Sequence, residues 1–269
     1  MKENNYFEEK NIGEWQDDTM NSSISRALSI IPDSSLTFLY NQTKMMMGRM
    51  VDYKELRMIY ACAMKVVKTK FEVLNTEFNL QYHRNPINSI QTRLKSTSSI
   101  LSKLTKANKP ITIDSIEENI NDIAGVRVIC SYIDDIYLIA DALLKQHDVT
   151  LITKKDYINT PKENGYRSLH LIVRVPVFLA DKSVEMKVEV QIRTIAMDFW
   201  ASLEHQLHYK QNYGEMDELV DELKECAETI NTTDKRMLEL RMKMEALADK
   251  PTEEEILFEK FSKFDMPIE

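Results

Sequence analysis

The acidic residues Asp122 and Glu189 are the pair best placed to do chemistry, because each borders or lies on a segment that reads as a central strand. Carboxylates fixed on strands beside several cations can hold Mg2+ and position an attacking hydroxyl while the cations neutralise phosphate oxygens. The run Val184–Arg193 alternates with period two, placing Glu185, Lys187, Glu189, Gln191 and Arg193 on one face and Val184, Met186, Val188, Val190 and Ile192 on the other. A solvent-exposed antiparallel strand alternates in the same way without any site, so spacing alone leaves both readings open. Residues 84–109 carry Arg84, Arg93, Lys95, Lys103, Lys106 and Lys109 and no carboxylate. Such a stretch is either a polyanion-binding surface or a solvated basic face.

Glycine usage narrows the nucleotide chemistry. The five glycines, Gly13, Gly48, Gly125, Gly165 and Gly214, are too scattered to build G-x-G-x-x-G or G-x-x-x-x-G-K-[ST]. A Rossmann fingerprint, a Walker A loop and a kinase Gly-rich loop are excluded. Any nucleotide phosphates must be held by Lys and Arg side chains and by metal.

The elements that position these residues follow from apolar periodicity. With 269 residues, 43% hydrophobic and 29% charged, the chain suits one ordinary domain with extra segments, or two small ones, around a real core. No apolar run approaches the roughly 18 residues that span a bilayer, so no membrane partner is expected. The opening MKENNYFEEK is neither a secretory signal nor a transit peptide. Cys62, Cys130 and Cys226 are odd in number and far apart, which points to a reducing, cytoplasmic setting. Residues 1–30 read as a polar extension, 31–213 as the main domain and 214–269 as an acidic helical tail. From residue 215 onward there are 17 acidic and 8 basic side chains.

Within the main domain, Leu56, Ile59, Ala63, Val66, Val67, Phe71 and Leu74 predict an amphipathic helix over 51–77. Met45-Met46-Met47 reads as apolar packing at a helix start. Ser96 to Ser99 predicts a cap for a short helix running through Lys103. An apolar run at Ile123–Cys130, a helix near 134–146 and a strand near 149–153 read as a βαβ unit with a parallel pair. Tyr166–Val175 and Val184–Arg193 read as an antiparallel hairpin. Ala196, Phe199, Trp200, Leu203 and Leu207 mark the apolar face of a further helix, opposite Asp198, Ser202 and His205. Two tail helices follow, through Leu219–Ile230 and Met237–Leu247, with a break at Asn231–Asp234. The fold class is a mixed α/β sheet with flanking helices and a helical tail. Glu204-His205-x-x-His208 and His147-Asp148 lack companion ligands and read as unliganded.

Four blocks occurring in order, RLKSTSSILSKL (93–104), DIAGVRV (122–128), DYINTPKENGYRSLH (156–170) and EVQIRTIAMDFWASLEH (189–205), resemble the synthetase domain of the RelA/SpoT homologue superfamily. The resemblance covers roughly Leu56 to Tyr209, and no hydrolase domain fits in the remaining length, so the chain looks like a small alarmone synthetase. The resemblance implies a nucleotidyltransferase-like fold. It also implies transfer of the β,γ-pyrophosphate of ATP to the ribose 3′-hydroxyl of GTP, GDP or GMP, yielding AMP and a (p)ppGpp-type alarmone of the stringent response. It further implies Mg2+ as cofactor and a homotetramer, with a regulatory alarmone or single-stranded RNA as further partners.

By the same resemblance, Asp122 ligates Mg2+, and Glu189 orients or deprotonates the 3′-hydroxyl and shares the metal. Arg93 and Arg127 stack on adenine, and Lys95, Ser99 and Lys103 bind the ATP phosphates. Tyr166 stacks on guanine, with Lys162, Arg167, His170 and Gln191 near the acceptor's phosphates and ribose. Asp198 either accepts from guanine N1–H and N2–H or complements the start of its helix. Strict alternation sets Asp122 and Arg127 on opposite faces, so either Asp122 precedes the strand or Gly125 makes a bulge. The tail helices bury their stripes against another subunit or fold back on their own core. Two other classes compete: a catalytically silent RNA-binding relative using residues 84–109, and a transferase that adds a nucleoside monophosphate and releases pyrophosphate.

Overall fold

The computed structural model describes residues 33–82, 84–210, 217–247, 257 and 261. The described residues fall into two compact units, one up to residue 54 and one from residue 55 onward. The extension 1–30 and the stretch around Gly214 lie outside the described residues.

Helix α1 (Asp33–Tyr82) starts well before the expected residue 51. In the first unit its methionines Met45, Met46 and Met47 are exposed inside the helix, not packed at its start. In the second unit α1 buries the stripe Leu56, Ile59, Ala63, Val67, Phe71 and Leu74, as its three-and-four spacing requires. Lys70 ties it to Gln146 and Asp148, and Arg57 donates to the Lys95 carbonyl at 2.9 Å.

The remaining elements are β1 (Ile87–Leu94), α2 (Thr97–Lys106), α3 (Ile113–Asn119), β2 (Ala124–Cys130), α4 (Ile133–Leu144), β3 (Thr150–Asp156), β4 (Leu169–Phe178), β5 (Ser183–Thr194), α5 (Ile195–Lys210) and α6 (Asp217–Leu247). The five strands form one sheet in the order β1-β2-β5-β4-β3. Among the described strands only the β2–β5 pair is parallel. The expected hairpin is present as β4–β5, from Leu169 opposite Ile192 to Phe178 opposite Ser183. The expected parallel pair of β2 with β3 is not. The two run in the same direction but β5 and β4 are inserted between them, so the parallel neighbour of β2 is β5.

One face of the sheet is apolar. Val126, Val128, Leu171, Val173, Val188 and Val190 are buried there, each contributing about 1.5–3 kcal/mol, and α4 covers β2 and β5 through Ile136, Ile139, Ala140 and Leu143. This burial fixes the register: a slip of one residue would turn Glu189 and Gln191 into the core. Asp122 precedes β2, and the β1–β2 register is regular at Gly125, so no bulge is needed to place Asp122 beside Arg127's face.

Two expectations about the helices are corrected. On α5 the buried residues are Met197, Trp200 and Ala201, while Phe199, Leu203 and Leu207 are exposed. The helix packs on β5 and α6 through a face rotated from the one its apolar residues suggest. The tail segment 217–247 is one helix without a break. Thr232 and Thr233 turn their hydroxyls onto the carbonyls of Glu228 and Thr229, four residues back, and Asp234 accepts from Thr194. Residues that favour turns thus find partners without leaving the helix. The first half of α6 folds back on its own core through Leu223, Ala227 and Ile230, whereas Met237, Leu240, Met244 and Leu247 remain exposed.

Candidate active site

Strand register assembles the polar face row by row. Gln91, Arg127, Gln191, His170 and Lys155 are successive neighbours across β1, β2, β5, β4 and β3. The next row holds Arg93, Gly125, Glu189 and Ile172. A cleft of about 690 Å3 opens over this face, lined by Arg93, Lys95, Asp122, Arg127, Tyr166, Glu189, Gln191 and Arg193, with Glu204 and His205 from α5 on its rim. Gly125 lies on its floor. An added Cβ there would meet only the Arg93 carbonyl oxygen, at 3.4 Å, so the glycine preserves open space and relieves no strain.

Asp122 is held by two cations. Lys95 Nζ donates to its Oδ2 at 2.9 Å and Lys103 Nζ to its Oδ1 at 3.0 Å. Burial alone would raise its pKa, but the hydrogen bonds and charges of Lys95 and Lys103 outweigh that and hold it below the ordinary value. Lys103 reaches Asp122 because α2 starts where Ser96 Oγ accepts from the Ser99 amide at 3.2 Å. Ser99 is therefore part of that capped turn, and neither it nor Lys103 lines the cleft.

Glu189 is tuned the opposite way. Burial, then the neighbouring charge of Asp122, raise its pKa against the opposing Gln191 hydrogen bond and the two lysines. Gln191 Nε2 donates to Glu189 Oε2 at 3.0 Å and fixes that carboxylate on the sheet. One carboxylate is kept ionised and its neighbour is made more basic, the pattern by which an active site separates roles between two similar groups.

On the other side of Glu189 lies an aromatic and cationic cluster. Burial pushes the Tyr166 phenol up, so it keeps its proton. Arg193 Nη2 donates to the Tyr166 hydroxyl at 2.6 Å, and that hydroxyl pairs with His170 Nε2 at 2.8 Å. Burial, and then the charge of Arg193, lower the His170 pKa to about 3, so the imidazole is neutral. Its Nδ1 lies 3.8 Å from Glu189 Oε1. Lys162 Nζ lies over the rings of Tyr166 and Tyr157, at 4.7 and 5.0 Å from their centroids. Lys162 and His170 therefore stand around Tyr166 and do not line the cleft themselves.

Asp198 sits in the first turn of α5, which Thr194 opens by accepting the Met197 amide at 3.1 Å. Its Oδ1 accepts from Arg127 at 3.3 Å and from Arg193 at 3.2 Å. One carboxylate oxygen thereby joins an arginine of the β1–β2 side to the arginine that holds Tyr166. Arg167 is not brought to the cleft. It is buried, with its guanidinium donating to the Gly165 carbonyl at 3.0 Å and to Glu228 Oε1 at 2.7 Å.

Three contributors were given no role in the site by the sequence. Arg193 was legible as the next polar-face residue after Glu189 and Gln191, yet only its burial to 4% exposure shows it as the hub of the cluster. Gln91 belongs to β1, which has no alternation to betray it. Tyr157 stands edge-on to Tyr166 and His170, and only the fold brings these three rings together.

Among the described residues no three His, Cys, Asp or Glu side chains gather as a metal site. Asp122 and Glu189 are hard oxygen donors on one cleft, the donor set that suits Mg2+ shared with substrate phosphates and water better than a cation caged by protein alone.

Residues 92–214 match the family described as a region found in RelA / SpoT proteins. The chain is 46% identical over 196 residues to the GTP pyrophosphokinase YwaC of Bacillus subtilis (strain 168), an alignment covering 73% of this chain and 93% of that one. The crystal structure of small alarmone synthetase 2 from Bacillus subtilis superposes with a TM-score of 0.64 at 45% identity, over 70% of this chain and 97% of that one. Small alarmone synthetase 1 from Bacillus subtilis, bound to its product pppGpp, superposes with a TM-score of 0.65 at 32% identity, over 72% and 98% of the two chains.

Proposed function

The chain belongs to the RelA/SpoT family, and from that premise and the geometry of its cleft we infer that it is a GTP pyrophosphokinase, a small alarmone synthetase. It transfers the β,γ-pyrophosphate of ATP to the ribose 3′-hydroxyl of a guanine nucleotide and releases AMP. The observation that carries this reading is the gathering of Asp122, Glu189, Lys95, Arg93, Arg127 and Tyr166 around one cleft, with free space over Gly125 between the arginines of β1–β2 and Tyr166.

In the reaction the 3′-oxygen attacks the β-phosphorus, the bond from that phosphorus to the α,β-bridging oxygen breaks, and AMP leaves. Such a transfer requires positioning and charge neutralisation more than covalent help. Glu189 takes the proton of the 3′-hydroxyl on its Oε1, because Oε2 is held by Gln191. Lys95, resting on Asp122 in the cleft, supplies positive charge to the ATP phosphates, and Lys103 adds charge from beside the cleft through its pairing with Asp122. Arg93 and Arg127 present planar guanidinium groups to adenine, and Tyr166 presents its ring to guanine with its hydroxyl anchored by Arg193 and His170. Asp122 and Glu189 would hold Mg2+, which when bound neutralises charge on the phosphates.

The chain acts as an oligomer in this reading, a tetramer by its family. The exposed residues Met237, Leu240, Met244 and Leu247 support self-association. Its three cysteines are free, which supports a reducing, cytoplasmic setting, and no described helix is long and apolar enough to cross a membrane. Incubation with Mg2+, β-labelled ATP and GMP, GDP or GTP tests the reaction. Label on the guanine nucleotide with release of AMP supports it. Release of pyrophosphate would instead indicate nucleoside monophosphate transfer, and RNA binding without ATP consumption would indicate a silent relative.

A further inference from the structure

The loop that presents Tyr166 is built against helix α6, and three independent contacts join them. Gly165 has φ +86°, and a Cβ added there would lie 2.5 Å from the Ala227 Cβ, so the loop backbone touches the helix as closely as glycine allows. Arg167 donates to the carbonyls of Gly165 and Ala227, at 3.0 and 3.4 Å, and to Glu228 Oε1 at 2.7 Å. Tyr166 itself packs on the small core of Trp200, Ala201 and Ala227. The helix is not free to drift. Thr194, at the end of β5, donates to Asp234, and Arg241 pairs with Asp134 at the start of α4. The site residues on the β1–β2 side, Arg93, Lys95 and Asp122, take no part in these contacts.

We propose that helix α6 is a positioning wall of the acceptor site: by seating Ala227 against Gly165 and pairing Glu228 with Arg167 it fixes the loop that presents Tyr166, and so sets affinity for the guanine nucleotide and not for ATP. This rests on the reading of Tyr166 as the guanine platform. Arg167 and Glu228 are positioning residues, acting through the loop without touching substrate.

The test uses the full-length chain and two variants. Glu228 is half exposed, so Glu228→Ala leaves the core intact while removing the partner of Arg167. Ala227→Val adds bulk where Gly165 leaves no space. Each variant should raise the KM for GDP by about 3–10-fold, within the range of couplings carried through packed contacts, with the KM for ATP and the kcat at saturating GDP within about twofold. Glu228→Gln, which keeps an acceptor for Arg167, should recover most of the loss. Calorimetric Kd values for GDP and for a non-hydrolysable ATP analogue should split in the same way without relying on turnover. Lower melting temperature with both KM values unchanged would mark a merely structural contact and overturn the proposal, and so would equal rises for the two nucleotides. A chain that bound GDP but transferred nothing would overturn the transferase reading, while the binding split would still decide this one.

Discussion

Replacing Glu189 by glutamine separates catalysis from stability in one step. The substitution keeps the shape of the side chain, and the new amide still offers an oxygen to Gln191 Nε2, which donates to Glu189 at 3.0 Å in the native chain. What is lost is the base for the 3′-hydroxyl. General-base catalysis contributes about 10²–10⁴-fold, so the barrier should rise by about 3–5 kcal/mol. The effect on folding has the opposite sign. Burial and the charge of Asp122 raise the folded-state pKa of Glu189. For an acid raised in this way the stabilisation is present below the unfolded pKa and is lost as pH rises through the folded one. At neutral pH the carboxylate is therefore a liability, and Glu189→Gln should melt at the same or a higher temperature. Initial rates of AMP release, with thermal melts of both proteins without Mg2+, measure both. A kcat within tenfold of the parent, or a clear drop in melting temperature, would refute the reasoning.

Three further outcomes follow from the same geometry. Tyr166→Ala should weaken the guanine nucleotide by about 1–3 kcal/mol through lost stacking and leave ATP affinity nearly unchanged; calorimetric titration of each nucleotide checks it, and damage confined to ATP would mean that the two sites are exchanged. The pKa of His170 is lowered to about 3, so its stabilising contribution is present above the ordinary histidine value and is lost as pH falls from there towards 3; the imidazole resonances of His170 should not titrate between pH 5 and 8, and a midpoint in that window would contradict the assigned neutral ring. Leu240→Glu with Met244→Glu places charge on the exposed half of α6 and should lower the solution mass measured by light scattering without reducing helix content; an unchanged mass would remove that face from any interface.

The polar face was legible because β5 is a regular half-buried strand, and its period of two separates Glu189, Gln191 and Arg193 from the valines without any knowledge of neighbours. The capped start of α2 was legible for a similar reason, since Ser96 and Ser99 interact locally. β1 was not: as an edge strand it is largely exposed, and what identifies it is pairing with β2, more than thirty residues later. The order of the sheet was hidden because βαβ chirality says which way β3 runs but not that the β4–β5 hairpin is inserted beside β2. Arg167 and its neighbour Tyr166 read alike as site residues. What turns Arg167 away is Glu228, some sixty residues distant, and no local spacing carries that information. The Asn231–Asp234 break failed because Thr232, Thr233 and Asp234 find acceptors and donors within or beside the helix. The resemblance supplied roles for individual residues, whereas the fold supplied their partners.

The fate of the β-phosphorus tests most directly whether this cleft moves an intact pyrophosphoryl group from ATP to a guanine ribose. With purified chain, Mg2+, ATP labelled at the β position and GDP, the label should leave ATP and appear on the guanine nucleotide, in amounts equal to the AMP released, and Glu189→Gln should abolish most of that transfer. Label that stayed on ATP, or left as free pyrophosphate while the guanine nucleotide gained none, would contradict the account.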